Sequence, residues 1–359
     1  MIETLHGMNF ADATPSQLND LILHKLESSV QDSKLISQGN NNFVFDLTLE
    51  SGTSMILRIA KPDELLPLKV RLENQVAAMR LVASTTDIPV PRVIACWIHD
   101  EDTAEEAAFM IVEKMNGGLA EVIAKLQSIK TTWYGGFAVG PDDSVVAGPS
   151  VFGGIGPFES VGEYYSAKLS DAFQFAKKNP LLQGYKDAPF DSRARIQKLI
   201  GSSLDHFFSE SDVSPVFIHG DMHLGNVLID PETKSITALL DFEFASSSPA
   251  SEEFEMGGMV GYQTGPLSET TEPAQIERLK RIYRGWDASL EPKPTSSEEK
   301  KEFALWNQAL ALAGALRPST LPSHSTAVTL WILSQEICPW YLDARVIERW
   351  KKRSGGKLD

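Results

Sequence analysis

The sequence predicts an α+β protein built in two parts, a small strand-rich lobe followed by a larger helical one. Three observations carry this expectation. Residues 41–62 read as two strands around a Glu50-Ser51-Gly52-Thr53 turn. From Leu119 onward helical patterns dominate. Between them in character lies VFIHGDMHLGNVLID followed by ITALLDFEFA, a short hairpin with polar residues at both strand mouths. The lobes are placed at residues 1–116 and 117–359, and the chain of 359 residues is long enough for both.

Pro15 to Ser29 is expected as an amphipathic helix, with Leu18, Leu21, Leu23 and Leu26 near helical spacing, Thr14 as cap and Pro15 at the first position. Phe43, Phe45, Leu47 and Leu49 then alternate with other residues, the period of a half-buried strand, and Met55 to Ile59 forms the second strand before Pro62 stops it. Leu65 to Ala83 is expected as helix, Arg92 to Trp97 and Phe109 to Glu113 as strands, and Gly117-Gly118 as a break. The expected helices that follow are Leu119–Ser128, Ser160–Lys178, Ser192–Ser209, Pro273–Trp286, Ser297–Leu316 and Thr326–Trp350, the last broken near Pro339. Seven glycines fall between Gly135 and Gly156, a stretch expected as a flap over a bound acceptor or as a plain surface loop.

Composition narrows the function classes. Hydrophobic residues make up 42% and charged residues 23%, the balance of a soluble globular enzyme. A net charge of -15 lacks the basic footprint of a nucleic-acid binder and disfavours an anionic membrane surface. The start, MIETLHGMNFADATPSQ, has neither a basic, apolar-cored signal nor an arginine-rich transit pattern. No apolar run approaches the roughly 20 residues of a membrane span. Cys96 and Cys338 stand far apart in no metal-ligand spacing and are expected as reduced thiols. A cytoplasmic protein is the expectation, and its oligomeric state is left open.

The chemistry lies in the hairpin segment. Apolar Val216-Phe217-Ile218 leads into His219-Gly220-Asp221, Asn226 lies five positions after Asp221, and Asp241 ends the strand Ile236–Leu240. Phosphoryl transfer to a hydroxyl needs a carboxylate that orients the acceptor and takes its proton. It also needs oxygen ligands that hold Mg²⁺ on the phosphates. Asp221 suits the base; Asn226 and Asp241 suit the metal. The spacing follows the kinase catalytic segment, His-x-Asp, Asn five after the Asp, then Asp-Phe-x.

These residues resemble the aminoglycoside phosphotransferase and choline kinase-like family, whose loop reads His-Gly-Asp and whose later motif reads as Asp241-Phe242-Glu243 does here. The resemblance implies a two-lobed protein-kinase-like fold, ATP and Mg²⁺ as cofactors, and a small-molecule hydroxyl acceptor. The acceptor would be aminoglycoside-, choline- or natural-product-like. It makes His219 an orienting residue and brings His223 toward phosphate or acceptor, with a hydrogen-bonded loop histidine as the alternative. It makes Gly39, beside Asn40 to Asn42, the nucleotide-covering turn, and Glu113 to Met115 the hinge whose backbone meets adenine. Arg58 takes the place of the usual Lys that holds phosphate, with Lys61 as rival, and Glu73 is its expected ion-pair partner, the alternative being a surface Glu paired with Lys69 or Arg80. Arg there, with the Gly-Pro units at 140–141 and 156–157, resembles a mainly fungal branch. Trp331, Trp340 and Tyr341 line an acceptor site or, more simply, fill the core. Glu253 stands where the family carries an Asp. A nucleotide-binding pseudokinase acting as a regulatory module is the alternative function. A protein kinase is a third reading, disfavoured by Asp-Phe-Glu and by the lack of an Ala-Pro-Glu segment.

Overall fold

The structure is a computed structural model that describes residues 14–22, 28–38, 42–61, 67–98, 108–112, 119–208, 214–229, 232, 236–256 and 298–339. The chain groups into two compact units. One joins Met1–Leu119 with Phe137–Gly154 and Gly225–Ala245; the other joins Ala120–Gly136 with Ile155–Leu224 and Ser246–Asp359.

The first unit is built on a five-stranded antiparallel sheet. Its strands are β1 (Val30–Gln38), β2 (Asn42–Leu49), β3 (Ser54–Ala60), β4 (Val93–Ile98) and β5 (Ala108–Val112), in the order β1-β2-β3-β5-β4. The expected β2–β3 hairpin is present, with Phe45 opposite Leu57 and Val44 opposite Arg58. Alternation works as the period predicts. Phe45, Leu47, Leu49, Leu57 and Ile59 share one face, where Leu18 of helix α1 (Pro15–Ile22) is buried among them. Each such side chain is worth roughly 1.5–3 kcal/mol on burial. Arg58, between Leu57 and Ile59, is thereby turned to the other face.

Strand β1 was not expected. Its sequence VQDSKLISQ is polar, as suits a sheet edge, and its register on β2 shifts twice. Ser28 and Ser29 are not helical, because the chain is already entering β1. Helix α2 (Leu68–Thr85) starts three residues later than expected. It is buried on nearly every side, including Arg71, Asn74 and Gln75. The Gly-rich stretch is no simple loop. It contains the hairpin β6 (Gly136–Val139) and β7 (Val145–Gly148). A Cβ on Gly148 would lie 2.7 Å from the Phe137 carbonyl carbon, so glycine lets the two strands close. The last hairpin of this unit pairs β9 (Val227–Ile229) with β10 (Ile236–Leu239), as the sequence predicts.

The second unit is mainly helical. Helix α3 (Leu119–Ser128) has the expected bounds. Helix α4 (Val161–Lys178) is capped by the Ser160 hydroxyl, which accepts from the Glu163 N–H, and it ends on Lys177 and Lys178, favourable at a helix C-terminus. Tyr164, Tyr165, Leu169, Phe173 and Ala176 of α4 form a core with Ala327, Leu330 and Ile337 of the helix His324–Ile337. Trp331 packs against that core, in keeping with the simpler expectation; Trp340 and Tyr341 lie outside the described residues. Helix α5 (Ser192–Ile200) stops at Gly201, short of the expected Ser209, and a turn of 3₁₀ helix follows at Asp205–Phe207. The short strands β8 (Val216–Ile218) and β11 (Ser246–Ser248) pair antiparallel. The expected helix Pro273–Trp286 lies outside the described residues, and Glu298–Leu312 is the observed counterpart of the next. Cys96 and Cys338 form no disulfide. Among the described residues no helix is long and apolar enough to cross a membrane.

One polar network runs through this second core. The Tyr164 hydroxyl donates to Glu252 Oε2 at 2.7 Å and lies 3.1 Å from Ser248 Oγ, while Lys168 Nζ reaches both Glu252 oxygens at 3.0 Å. Burial and the Glu252 charge hold the Tyr164 phenol well above its ordinary value, so it stays a donor. Tyr164→Phe removes that donor and leaves the buried carboxylate under-satisfied. The expected loss is about 1–3 kcal/mol in urea unfolding. An unchanged midpoint and slope would mean that the network carries no net stability.

Candidate functional site

In the helical unit, β8 delivers the chain into His219-Gly220-Asp221. The strand is fully buried, and His219 is completely enclosed. Gly220 takes φ +77, a left-handed conformation that suits glycine. Two backbone donors released by this turn need acceptors. Glu253 supplies them: its Oε2 accepts from the His219 N–H at 2.6 Å and its Oε1 from the Gly220 N–H at 3.3 Å. The Asp221 N–H donates to His219 Nδ1 at 3.3 Å, which leaves the imidazole proton on Nε2. His223 Nε2 lies 3.5 Å from Asp221 Oδ2. The side chains of Asp221 and His223 are 32% and 40% exposed, so both remain reachable from solvent. The sequence-predicted His219, Asp221 and His223 are therefore neighbours on one loop, and Glu253 holds that loop from outside it.

In the sheet unit, Val227 faces Leu239 and Leu228 faces Ala238, so Asn226 and Asp241 sit at the open end of the β9–β10 hairpin. The Leu240 N–H donates to the Asn226 carbonyl at 2.8 Å and closes that end. Asn226 is buried. Asp241 adopts φ +66, ψ +59 ahead of a 3₁₀ turn at Phe242–Phe244. Arg58 Nη2 donates to Asp241 Oδ1 at 2.8 Å, across a sequence separation of 183 residues. With 13% and 24% side-chain exposure this is a partly desolvated, charge-assisted contact.

Arg58 thus has an acidic partner other than the one expected. Among the described residues Glu73 makes no ion pair with it. Glu73 is half-buried on α2, burial raises its carboxyl above the ordinary value, and the nearby charge is Lys69. The Lys61 ammonium, 4.4 Å from the centre of the Phe43 ring, makes a cation–π contact. Gly39, Glu113 and Met115 lie outside the described residues.

Sequence reasoning missed the residues of α2 that do face Asp241's turn. Asn74 is fully buried; its Nδ2 donates to the Glu243 carbonyl at 3.2 Å and the Ala245 carbonyl at 2.8 Å, and its Oδ1 accepts from the Phe137 N–H at 2.6 Å. Arg71 Nη2 donates to the Lys61 carbonyl at 2.8 Å, and its Nε stands 3.7 Å from Glu243 Oε2, both side chains almost wholly buried. The available signal was polar residues on the stripe Leu68, Arg71, Leu72, Gln75, where apolar ones recur in a plain core helix.

The donor set suits a hard cation. Asn226 and Asp241 offer an amide and a carboxylate oxygen, and among the described residues no cluster of three or more His, Cys, Asp or Glu side chains forms an all-protein cage. Magnesium is commonly held this way, by one or two carboxylates with water and substrate phosphates completing its shell.

Residues 155–292 match the model of the phosphotransferase enzyme family. The matched segment contains His219, Asp221, His223, Asn226, Asp241 and Glu253, so the resemblance and the phosphotransferase class expected from those residues are met there. The fungal branch is not distinguished. No curated protein matches the chain. Solved structures similar to it include a GDP complex of a mutant aminoglycoside 2'-phosphotransferase IIIa, at 14% identity, covering 95% of this chain and 97% of that one, with a TM-score of 0.47. The apo macrolide 2'-phosphotransferase MphH of Brachybacterium faecium is 14% identical, with coverages of 95% and 99% and a TM-score of 0.44. An ethanolamine kinase of Plasmodium vivax is 11% identical, with coverages of 99% and 97% and a TM-score of 0.44. At these scores the likenesses say nothing of this chain's acceptor or nucleotide.

Glu253 yields a pH prediction. Burial pushes its carboxyl from the ordinary 4.5 up to about 7, against the lowering effect of the two N–H groups it accepts from. The folded state then binds the proton more tightly than the unfolded chain. Stability is expected to fall as pH rises from about 4.5 to about 7. Glu253→Gln should flatten this slope and, by turning an amide NH₂ toward one buried N–H, cost about 1–3 kcal/mol at pH 5. Urea unfolding at stepped pH measures both, and an unchanged slope in the variant would assign the pH dependence elsewhere.

Proposed function

We propose that the protein is an ATP- and Mg²⁺-dependent kinase that phosphorylates a hydroxyl group of a small molecule. The observation that carries the reading is the conjunction of Arg58 with Asp241, two residues chosen from sequence for the same phosphate-handling task, inside a unit that also carries Asn226. Asp221 is assigned to the same task from sequence, because Asn226 follows it by five positions and Asp241 ends the next strand.

In this reading Asp221 accepts the proton of the acceptor hydroxyl as its oxygen attacks the γ-phosphorus and the bond to the ADP oxygen breaks. His219 fixes the loop that carries Asp221. His223, beside Asp221, is placed to donate to a phosphoryl oxygen or to the acceptor. Asn226 and Asp241 hold Mg²⁺, which when bound offsets charge developing on the phosphoryl oxygens. The Arg58 guanidinium has donors beyond the one given to Asp241 and serves the α/β-phosphates. Gly39 would cover the nucleotide, and the backbone of Glu113 and Met115 would meet adenine. The acceptor is aminoglycoside-, choline- or natural-product-like, and a net charge of -15 is compatible with a cationic one.

A pseudokinase is the second reading, favoured by Arg in place of Lys at position 58. One experiment separates the two: a screen of hydroxyl-bearing metabolites with ATP and Mg²⁺, read as the mass gain of one phosphate. The kinase reading expects a product with the wild type and at least a thousandfold slower transfer with Asp221→Asn, while ATP affinity stays within a few-fold. Transfer at near wild-type rate by the Asp221 variant would remove that residue from its role. Magnesium-dependent ATP binding without transfer to any acceptor would favour the pseudokinase.

A further inference from the structure

The Gly-rich segment and helix α2 converge on the turn that follows Asp241, although neither belongs to the motif that selected that residue. Asn74 has three hydrogen bonds, and they go to three places in one unit: to Phe137 at the start of the β6–β7 hairpin, and to the carbonyls of Glu243 and Ala245 in the turn that begins at Asp241. Its amide orientation is fixed by these partners. An N–H faces Oδ1 and two carbonyls face Nδ2, so the reversed amide would oppose donor to donor. The same three elements touch at other points. Phe152, just beyond β7, stacks on Phe244 with ring centres 5.2 Å apart and planes 11° from parallel. Arg80 of α2 pairs with Asp143 at the hairpin tip at 2.9 Å. Arg71 of α2 faces Glu243 in the buried interior.

We propose that Asn74 is a positioning residue for Asp241, and that the β6–β7 hairpin acts through it as a brace for the metal-binding turn. The inference rests on the proposed function, since it concerns how that function's metal ligand is held. Its physical basis is conformational. Asp241 occupies the left-handed region, which aspartate visits more readily than most residues but which is still uncommon outside glycine, so the contacts around it matter. Arg58 fixes the side chain of Asp241, and Asn74 fixes the backbone that follows it. The expected tie between α2 and the phosphate-handling strand, a Glu73–Arg58 pair, is replaced here by a tie between α2 and the turn itself.

The test is calorimetric titration of the full chain with ATP, once with Mg²⁺ and once with EDTA. Asn74→Ala should lose at least tenfold of the Mg²⁺-dependent gain in ATP affinity, while affinity in EDTA stays within threefold of wild type. Gly148→Ala, which forces β7 away from Phe137 and touches no proposed ligand, should lower the same gain by about threefold to tenfold. Retention of the gain within twofold in both variants would overturn the positioning role. So would an equal loss with and without Mg²⁺, which marks general damage to the unit. Should Asn74→Ala fail to fold, the Gly148→Ala result decides alone. A wild type whose ATP affinity ignores Mg²⁺ would overturn the functional reading itself, and the positioning role with it.

Discussion

Arg58 sits in the middle of a sheet, on a strand flanked by β2 on one side and β5 on the other, with Leu57 and Ile59 as its apolar neighbours. A guanidinium cannot be withdrawn from water there without a counter-charge, because desolvation of an unpaired ion costs several kcal/mol. The carboxylate that meets it comes from Asp241, which fixes where the β9–β10 hairpin must end relative to β3. That requirement carries others with it. Asp241 has to turn into the left-handed region, the following residues tighten into a 3₁₀ turn, and the carbonyls they expose need donors. Asn74 and Arg71, buried on α2, are aimed at this turn. A helix buried on nearly every side is thereby obliged to carry an arginine and an asparagine in its interior.

The helical unit meets a parallel demand by a different route. Its loop after β8 frees two buried backbone N–H groups, and a single glutamate takes both. The Glu253 carboxylate reaches from its own short helix, Glu252–Met256, to the loop. The adjacent Glu252 turns its charge to Lys168 and Tyr164. Two neighbouring acids therefore serve opposite ends, one tying down the loop and the other anchoring α4. This explains why so short a helix is buried almost throughout its first three residues.

Local physics made much of this legible in the sequence. The β2–β3 hairpin announced itself through alternation and an exposed turn, and α3 and α4 fall within one residue of their expected bounds. The candidate segment from His219 to Asp241 was selected from residue types at fixed separation. What stayed hidden depends on contacts remote in sequence. Strand β1 is polar and bulged, and only its pairing with β2 makes it a strand. The β6–β7 hairpin looked like a loop because its glycines serve close approach, and nothing nearby reveals what Phe137 approaches. Glu73 was the natural acid to select on α2, yet the residues that matter flank it at 71 and 74, on faces that only the tertiary arrangement distinguishes.

The left-handed backbone at Asp241 bears on how this chain can drift over evolutionary time. Asparagine, aspartate and glycine tolerate that conformation; glutamate and most other residues do not. A lineage losing selection for catalysis would thus have two cheap single steps at this codon, to Asn or to Gly, each keeping the turn and discarding the negative charge. Either step strands the guanidinium of Arg58, so the next change should fall there, toward a smaller or apolar residue that suits the neighbouring strands. Descendants that have discarded the carboxylate would carry this paired change at positions 58 and 241.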